Sequence, residues 1–292
     1  MTGHTKEDTA DIPFASGVYR GFIKRNAATP RLLEFLNDPD RAFSDPASTI
    51  IKDSHTTSSC TVPHVLECSQ GCLYIKRYNY QNRLYALKNL FRPSRAKRVW
   101  KVSQKLVACN IPTPLPISFL EQKKGRLLIK SFFISQKIDG ALDLNVAIQQ
   151  LQTTGSPHDA SQKISLIRKV AHLVRSLHDC GICHRDLKAS NILVQRISEK
   201  EGKVYLVDLD SARFRKGIPK KDRIRDLARL NASLFNTGIS TTDRLRFLHS
   251  YLGTTCAHDK TLHTYWQTIA EQTRKKLCPA QQTRRGMINL QV

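Results

Sequence analysis

The spacing of hydrophobic residues changes about midway along the chain. Five short runs in the first half are continuously apolar or alternate with polar residues, which is typical of strands: residues 48–51, 61–68, 72–78, 117–121 and 126–135. Beyond Asp139-Gly140, apolar residues recur every three or four positions, as they do in amphipathic helices. The pattern predicts a five-stranded region followed by a helical region.

The same pattern divides the chain into three parts. Residues 31–48 begin as a short amphipathic helix that ends at Asn37-Asp38-Pro39, so residues 1–47 are predicted to be an N-terminal extension. Residues 48–138 then form the strand-rich lobe and residues 139–292 the helical lobe. Two lobes joined near Gly140 are expected to enclose a cleft.

The charge of the chain is strongly positive and unevenly placed. There are 47 Lys and Arg against 24 Asp and Glu, a formal net charge of +23. From Arg77 to Leu120 the chain holds nine basic residues and no acidic one. Such a field attracts polyanions: nucleic acid, anionic lipid or a phosphorylated glycan. Nucleic acid is not expected, because aromatic residues do not alternate with the basic runs as a base-stacking platform requires.

The N-terminal sequence MTGHTKEDTADIPF lacks the apolar run of a secretory signal, and no window approaches a transmembrane helix. We therefore expect an intracellular protein, at most peripheral to a membrane, with its eight cysteines reduced. Cys180 and Cys183-His184 have the spacing of covalent haem attachment, but haem is not expected without export. Zinc is not expected either, since no second Cys-x-x-Cys completes four ligands.

The segment with the most specific chemistry is His184-Arg-Asp-Leu-Lys-Ala-Ser-Asn191, which is followed by Asp208 at the end of an apolar run. This order is typical of the catalytic loop of protein-kinase-like phosphotransferases. Asp186 can orient and deprotonate an incoming hydroxyl, and Lys188 can stabilise the transferring phosphoryl group. Asn191 and Asp208 offer oxygen ligands that suit Mg²⁺. We take His184, Asp186 and Lys188 as the candidate catalytic residues.

Two further features concern nucleotide binding. Lys76 lies late in the run 72–78, where its ammonium can hold the α- and β-phosphates of a nucleotide. Residues 53–59, DSHTTSS, contain no glycine, yet their hydroxyl and N–H groups can hold phosphate; a plain polar turn is an equally good interpretation. Neither G-x-G-x-x-G nor G-x-x-x-x-G-K-[ST] occurs, which excludes Rossmann and P-loop sites.

The chain resembles the lipopolysaccharide core kinases of Gram-negative bacteria, the Kdo/WaaP family, from about Leu32 to Leu234. The segments that carry the resemblance are NDPDR at 37–41, IKRYN at 75–79, RPSRA at 92–96, IPTP at 111–114, residues 184–191, DLD at 208–210 and RDLARL at 225–230. The resemblance implies a protein-kinase-like two-lobed α+β fold, with a small, mainly antiparallel β N-lobe and a helical C-lobe.

The resemblance also implies phosphorylation, with ATP and Mg²⁺, of a heptose or Kdo hydroxyl in the lipopolysaccharide inner core. Lys76, Asn191 and Asp208 are then the cofactor-binding residues, and Asn191 and Asp208 hold the Mg²⁺. An anionic glycolipid or its lipid-linked precursor suits the positive charge, so we expect a cytoplasmic protein peripheral on the inner membrane. The best candidates for the anionic surface are Arg77–Lys105 and the basic residues after Asp208: Arg213, Arg215, Lys216, Lys220, Lys221, Arg223 and Arg225.

Two departures from the general kinase pattern leave alternatives open. Asp208-Leu209-Asp210 stands where kinases have Asp-Phe-Gly. The glutamate that many relatives place three residues after Ser-Arg-Ala is Val99 here, and no acidic residue lies between Arg77 and Leu120 to pair with Lys76. The alternatives are a protein kinase of the same fold and a low-activity or pseudokinase module that binds anionic glycolipid.

Overall fold

The computed structural model describes residues 10–63, 65, 71–79, 92–151, 157–196, 202–253 and 259–278. The chain divides into two compact units. Unit 1 comprises residues 1–107 and 114–139, and unit 2 comprises residues 108–113 and 140–292.

Unit 1 is built on a seven-stranded antiparallel sheet in the order β1-β2-β6-β7-β5-β4-β3. The strands are β1 Asp11–Ser16, β2 Tyr19–Lys24, β3 Thr49–Asp53, β4 Thr57–Val62, β5 Leu73–Tyr78, β6 Pro116–Lys124 and β7 Leu127–Gln136. Among the described residues of this unit, the sheet is accompanied by α1 Pro30–Leu36 and α2 Arg95–Ala108, with a 3₁₀ turn at Pro39–Phe43.

The two faces of this sheet bury different helices. Leu73 and Ile75 of β5 belong to a buried cluster that also contains Leu32 and Leu36 of α1. On the other face, Trp100 of α2 packs against Phe119 with 5.7 Å between ring centroids. Because side chains alternate along a strand, Tyr74, Lys76 and Tyr78 lie on the α2 side of β5.

Strands β1 and β2 were not predicted, since residues 1–47 were expected to be an extension with one helix. They form a hairpin that joins the sheet through β2 and β6. At Gly21 a Cβ would lie 1.9 Å from the carbonyl oxygen of Phe119, so only glycine allows this close pairing. Both strands are short, and β2 pairs with β6, which is distant in the sequence. The local sequence pattern therefore gave little indication of this hairpin.

Strand β4 was also misplaced by the sequence pattern. The predicted strand began at Thr61, and residues 64 and 66–68 of that prediction lie outside the described residues. Instead, the polar run Thr57–Val62 forms a strand whose six residues are all buried. The polar loop predicted at 53–59 therefore shrinks to residues 54–56 between β3 and β4. Hydroxyl-rich sequence indicates a loop only where nothing in the fold supplies hydrogen-bond partners.

Unit 2 is mainly helical, with short strands beside the helices. The helices are α3 Leu144–Gln150, α4 Pro157–Asp179, α5 Lys220–Ser233, α6 Thr241–Leu252 and α7 Asp259–Leu277. The strands are β8 Ala141–Asp143, β9 Ile182–Cys183, β10 Ile192–Arg196, β11 Gly202–Leu206 and β12 Arg213–Phe214. They form a β11-β10-β8 sheet and a β12-β9 pair. Of the described helices, none combines the length and apolar character needed to cross a bilayer.

The core of unit 2 lies among α3, α4, α5, α6 and α7. It leaves an apolar cavity of about 80 Å³ whose lining includes Leu166, Leu227 and Trp266. Asp243 also lines this cavity; it is 1% exposed and forms ion pairs with Lys163 and Arg246, both at 3.0 Å. No residue of the segment 184–191 lines this cavity, which we regard as a feature of helix packing.

Candidate active site

The loop between β9 and β10 brings three of the predicted site residues into contact. The Nζ atom of Lys188 lies 3.3 Å from Oδ2 of Asp186, and both side chains are a little under half exposed. The side-chain amide of Asn191 donates to the backbone oxygen of Asp186 at 2.9 Å and lies 3.4 Å from its Oδ2. The motif thus folds into one cluster in which a carboxylate and an ammonium remain accessible to a substrate.

The orientation of Asn191 is fixed by these bonds. Asn191 is 5% exposed, and its Nδ2 donates to the backbone oxygen of Asp186. The opposite atom of the amide, Oδ1, is therefore the one available to a cation. An oxygen presented in this way is the ligand type that Mg²⁺ prefers.

Asp208 follows β11, and the residue before it is tied to the loop. Val207 donates its N–H to the carbonyl of Asn191 at 3.0 Å, and its own carbonyl lies 3.1 Å from Nε2 of His184. Asp208 itself is exposed and has φ +57°, a left-handed conformation. Its carboxylate is thus presented at the end of a tethered strand.

The backbone is strained at two positions of this region. Arg185 has φ +67° and Asp208 has φ +57°, and neither is glycine. A left-handed conformation costs a residue with a Cβ about 1–2 kcal/mol. Such strain persists only where surrounding contacts hold the conformation. At Arg185 that contact is visible, because its N–H donates to Oδ1 of Asp226 at 2.9 Å.

Asp226 of α5 is the buried anchor of the loop. It is fully buried and accepts the N–H groups of His184 at 2.8 Å and Arg185 at 2.9 Å. The Cys183 thiol also donates to it at 3.3 Å. Burial raises the pKa of Asp226, but His178 at 3.5 Å and then the Cys183 thiol outweigh burial and lower the pKa below its ordinary value.

Asp226 lies in the RDLARL segment of the family resemblance, and no role was predicted for it. The sequence feature that could have identified Asp226 is a lone carboxylate between two apolar positions of a helix, Ile224 and Leu227, both of which are buried. A buried carboxylate needs partners. One partner is local, since Arg229 pairs with Asp226 at 3.2 Å from three residues on. Nothing in the local sequence indicated that its other partners include backbone N–H groups about forty residues away.

Comparison with known proteins identifies the family. The pattern of the lipopolysaccharide kinase (Kdo/WaaP) family matches residues 61–251. The chain belongs to the Kdo/WaaP family. Lipopolysaccharide core heptose(I) kinase WaaP of Pseudomonas aeruginosa is 27% identical over 159 residues, which are 53% of this chain and 59% of that protein. 3-Deoxy-D-manno-octulosonic acid kinase of Haemophilus influenzae 86-028NP is 37% identical over 116 residues, 39% of this chain and 44% of that protein.

These curated relatives are matched over less than two thirds of their own length. A solved structure, WaaP in complex with acyl carrier protein, superposes with a TM-score of 0.60 at 20% identity, covering 81% of this chain and 91% of that one. The predicted fold class is confirmed: the chain has a protein-kinase-like fold, with an antiparallel N-terminal sheet followed by a helical region.

His184 was predicted to be catalytic, but in this Kdo/WaaP chain its side chain is fully buried. Burial lowers the pKa of its imidazole, so the ring is neutral at pH 7. Its Nε2 lies 3.1 Å from the carbonyl of Val207, which only an N–H at Nε2 can satisfy. A fully buried ring in this position is placed to hold the loop and the end of β11 together.

Lys76 belongs to unit 1, whereas the other predicted site residues belong to unit 2. It lies on the α2 side of β5, and its Nζ is 5.7 Å from the ring centroid of Tyr78. Val99, which replaces the glutamate of many relatives, is 4% exposed on α2. That position is therefore an apolar core contact in this chain.

A second network holds the β3–β4 hairpin, which was weighed as a phosphate-covering loop. The side-chain amide of Asn79 donates to the carbonyl of Ser54 at 3.1 Å and to Oγ of Ser58 at 3.2 Å. Nε of Arg77 donates to Oδ1 of Asn79 at 2.9 Å. The hairpin lacks glycine, and side-chain hydrogen bonds from the neighbouring strand hold it instead.

This network joins two of the segments that carry the family resemblance. Arg77 forms an ion pair with Asp40 at 2.9 Å, and its guanidinium lies 4.2 Å from the ring of Phe43. Asp40 also accepts from Tyr19 at 2.9 Å and pairs with Lys130 at 2.6 Å. Burial raises the pKa of Asp40, but these donors outweigh it and lower the pKa overall. The NDPDR segment therefore fixes the strand that carries Lys76.

Several basic residues after Asp208 are engaged within unit 2. Arg223 pairs with Asp179 at 3.0 Å and donates to Tyr251 at 3.3 Å. Arg215 and Arg225 both pair with Asp222, at 3.1 and 3.2 Å. Arg213 donates to the backbone carbonyl of Ala212 at 2.7 Å. Lys216, Lys220 and Lys221 are exposed and form no ion pair with any residue that the structure describes, although Nζ of Lys220 lies 4.8 Å from the ring centroid of Tyr265.

We expect Asp226→Asn to lower the free energy of unfolding at pH 7 by about 1–3 kcal/mol, because an amide oxygen replaces a carboxylate that accepts two buried N–H groups. The pKa of Asp226 is lower in the folded state, so its contribution is present above the unfolded pKa near 4 and is lost as pH falls through the folded value. Denaturation by urea from pH 7 down to about pH 3 should therefore show a shallower acid dependence in the variant.

Asp243→Asn is the matched control, since this buried carboxylate of α6 also has a lowered pKa. Both variants should lose stability, whereas only Asp226→Asn should lose the phosphotransfer activity proposed below, at a temperature where both are folded. Equal activity in the two variants would contradict the role of Asp226 in holding the loop.

Proposed function

We propose that this chain is an ATP-dependent kinase that phosphorylates a heptose or Kdo hydroxyl of the lipopolysaccharide inner core. The observation that carries the proposal is the cluster of Asp186, Lys188 and Asn191 in a loop held by buried Asp226. Family membership supports the substrate class. A purely structural loop has no need of an accessible carboxylate and ammonium 3.3 Å apart.

Asp186 is the residue proposed to act on the acceptor. Its carboxylate is 45% exposed and can accept the proton of a sugar hydroxyl as the hydroxyl attacks the γ-phosphate. Lys188 stands beside it and supplies positive charge to the phosphoryl group during transfer. Lys76 is proposed to hold the α- and β-phosphates of the nucleotide.

Asn191 and Asp208 are proposed to hold Mg²⁺, which neutralises the charge of the triphosphate when bound. The donor set fits, since Asn191 has Oδ1 available and Asp208 is exposed. Among the described residues no three His, Cys, Asp or Glu side chains converge on one point as a metal site. This agrees with Mg²⁺ chemistry, because that ion is usually bound by one or two protein oxygens together with phosphates and water.

The two alternatives make different use of the same residues. A pseudokinase or glycolipid-binding module is favoured by Val99, which removes the usual glutamate. Such a module does not require the Asp186–Lys188 pair, yet this chain has that pair. A protein kinase of the same fold would transfer phosphate to Ser, Thr or Tyr of proteins, and family membership weighs against it.

We further propose that the chain acts at the cytoplasmic face of the inner membrane, with exposed Lys216, Lys220 and Lys221 facing the anionic glycolipid or its lipid-linked precursor. Each basic residue near an anionic surface contributes about 1 kcal/mol. Arg223 is omitted from this surface because Asp179 and Tyr251 already engage its guanidinium.

The central test supplies labelled ATP and Mg²⁺ with dephosphorylated lipopolysaccharide, and with generic protein substrates in parallel. Label should enter the glycolipid, and Asp186→Asn should reduce the rate by about 10²–10⁴-fold, because only the hydroxyl-orienting carboxylate is lost. Asp45→Asn, a change at an exposed carboxylate of unit 1, is the control and should leave the rate unchanged. Label in protein alone, or wild-type turnover by Asp186→Asn, would refute the assignment.

Asp208→Ala should weaken nucleotide binding in the presence of Mg²⁺ and leave metal-free binding nearly unchanged. The reason is that the variant lacks a metal ligand but keeps the groups that contact the nucleotide directly. Titration calorimetry measures the nucleotide affinity with and without Mg²⁺, and the metal-free titration is the internal control. An identical Mg²⁺ dependence in variant and wild type would show that Asp208 is not a ligand.

Replacing Lys216, Lys220 and Lys221 together by Gln should raise the apparent KM for lipopolysaccharide without changing the KM for ATP. The effect should shrink as salt is raised, because exposed charges are screened beyond about 8 Å at physiological ionic strength. The matched control replaces three exposed lysines of α7, Lys260, Lys275 and Lys276, with the same change in net charge. An equal rise of the apparent KM for lipopolysaccharide in both triple variants would show that overall net charge, and not these three positions, causes the effect.

A further inference from the structure

Helix α4 ends in a buried histidine that contacts two other helices of unit 2. His178 is 1% exposed and lies in the last turn of α4. Its Nδ1 is 2.8 Å from the hydroxyl of Tyr251 on α6, and its Nε2 is 3.5 Å from Oδ2 of Asp226 on α5. Tyr251 is 3% exposed. Neither His178 nor Tyr251 belongs to the groups proposed above to contact the nucleotide or the acceptor.

The neighbours of His178 decide which of its ring nitrogens carries the proton. A neutral imidazole has one N–H and one lone pair, and the two tautomers exchange these roles between the nitrogens. A lone pair on Nε2 would face the carboxylate of Asp226 and be repelled, whereas an N–H at the same place is attracted. The proton therefore belongs on Nε2. Nδ1 is then an acceptor that needs a donor.

Tyr251 can supply the donor that Nδ1 needs. Nη1 of Arg223 donates to the Tyr251 oxygen at 3.3 Å, which leaves the single hydroxyl proton for His178. Burial raises the pKa of Tyr251 to about 12, so the hydroxyl keeps this proton at neutral pH. Arg223 is itself fixed, by Asp179 at 3.0 Å and by the carbonyl of His178 at 3.4 Å. The donors therefore all point the same way, from Arg223 towards Asp226.

Asp226 connects this chain of donors to the loop. Its Oδ2, which faces His178, also accepts the N–H of His184 at 2.8 Å. Its Oδ1 accepts the N–H of Arg185, whose backbone is left-handed. If the His178 ring turned, or if its proton moved to Nδ1, Nε2 would no longer attract the oxygen that holds His184. The Tyr251 hydroxyl can thus affect the loop through two side chains.

We propose that Tyr251 is a positioning residue for the loop from His184 to Asn191. Its hydroxyl donates to Nδ1 of His178 and so holds the ring with the N–H of Nε2 towards Asp226, whose carboxylate then stays turned towards the loop. Tyr251 acts only through these two side chains, so it is not a catalytic residue. The consequence for catalysis rests on the proposed function, whereas the chain of hydrogen bonds does not.

The first measurement is the tautomer of His178 in the full wild-type chain. The protein is prepared with ¹⁵N-labelled histidine, and the His178 ring is identified by nuclear Overhauser effects to the Tyr251 ring, which it meets edge to face. Long-range ¹H–¹⁵N spectra should show an N–H at Nε2 and no proton on Nδ1. A proton on Nδ1 would overturn the proposal.

The second measurement compares wild type with Tyr251→Phe, which keeps the ring that stacks on Phe247 and removes only the hydroxyl. Nδ1 of His178 then becomes a buried acceptor without its donor. The amide protons of His184 and Arg185 should exchange with solvent about three- to tenfold faster relative to the amides of α5, the range expected for one lost hydrogen bond. The phosphotransfer rate should fall by a similar factor.

The matched control is Thr273→Val, which removes another buried hydroxyl of unit 2, the acceptor of a hydrogen bond from Asn231 at 2.9 Å. This variant should lose stability without a selective effect on the amides of His184 and Arg185 or on the phosphotransfer rate.

Two results in Tyr251→Phe would overturn the proposal: equal acceleration of the loop amides and the α5 amides, which would mean a general loss of stability only, or a wild-type phosphotransfer rate. If Tyr251→Phe does not fold, the wild-type tautomer decides the question. The spectra and the exchange rates require no turnover. A wild-type chain that transfers no phosphate would therefore refute the proposed function, and the two structural measurements would still decide the role of Tyr251.

Discussion

The arrangement of the loop from His184 to Asn191 depends on the carboxylate of Asp226. It fixes the N–H groups of two successive residues, His184 and Arg185, and so holds Arg185 in a conformation that costs free energy. The loop then turns so that Asp186 and Lys188 face outward while Asn191 faces inward. A buried charge with this many donors is stable where an unpaired one is not.

Unit 1 uses the same device at a different place. Asp40 accepts a hydrogen bond from Tyr19 and forms ion pairs with Arg77 and Lys130. Arg77 in turn donates to Asn79, whose side-chain amide holds the β3–β4 hairpin. Side-chain bonds thus define a hairpin whose tip, residues 54–56, contains no glycine. Each unit has one half-buried or buried carboxylate that holds the segment proposed to meet the nucleotide or the acceptor.

The excess of positive charge has more than one use. Arg77 and Arg223 are engaged inside their units, and Arg215 and Arg225 share Asp222. The lysines after Asp208 stay exposed, which suits a long flexible chain with a strongly hydrated ammonium. The guanidinium groups of these four arginines, with their fixed fork of donors, pair with carboxylates of their own unit. Net charge alone therefore overstates the surface that is available to an anionic partner.

The sequence by itself determined the fold class, the family and the contiguous motif from His184 to Asn191. Those residues lie within one loop, so their contacts follow from short-range geometry once the loop forms. Tertiary structure decided the features that depend on distant pairs: Arg77 meets Asp40 across 37 positions and His184 meets Asp226 across 42. It also decided that Thr57–Val62 is a buried strand and that His184 is buried. A polar residue looks the same in a sequence whether water or a distant partner satisfies it, and only the fold supplies the partner.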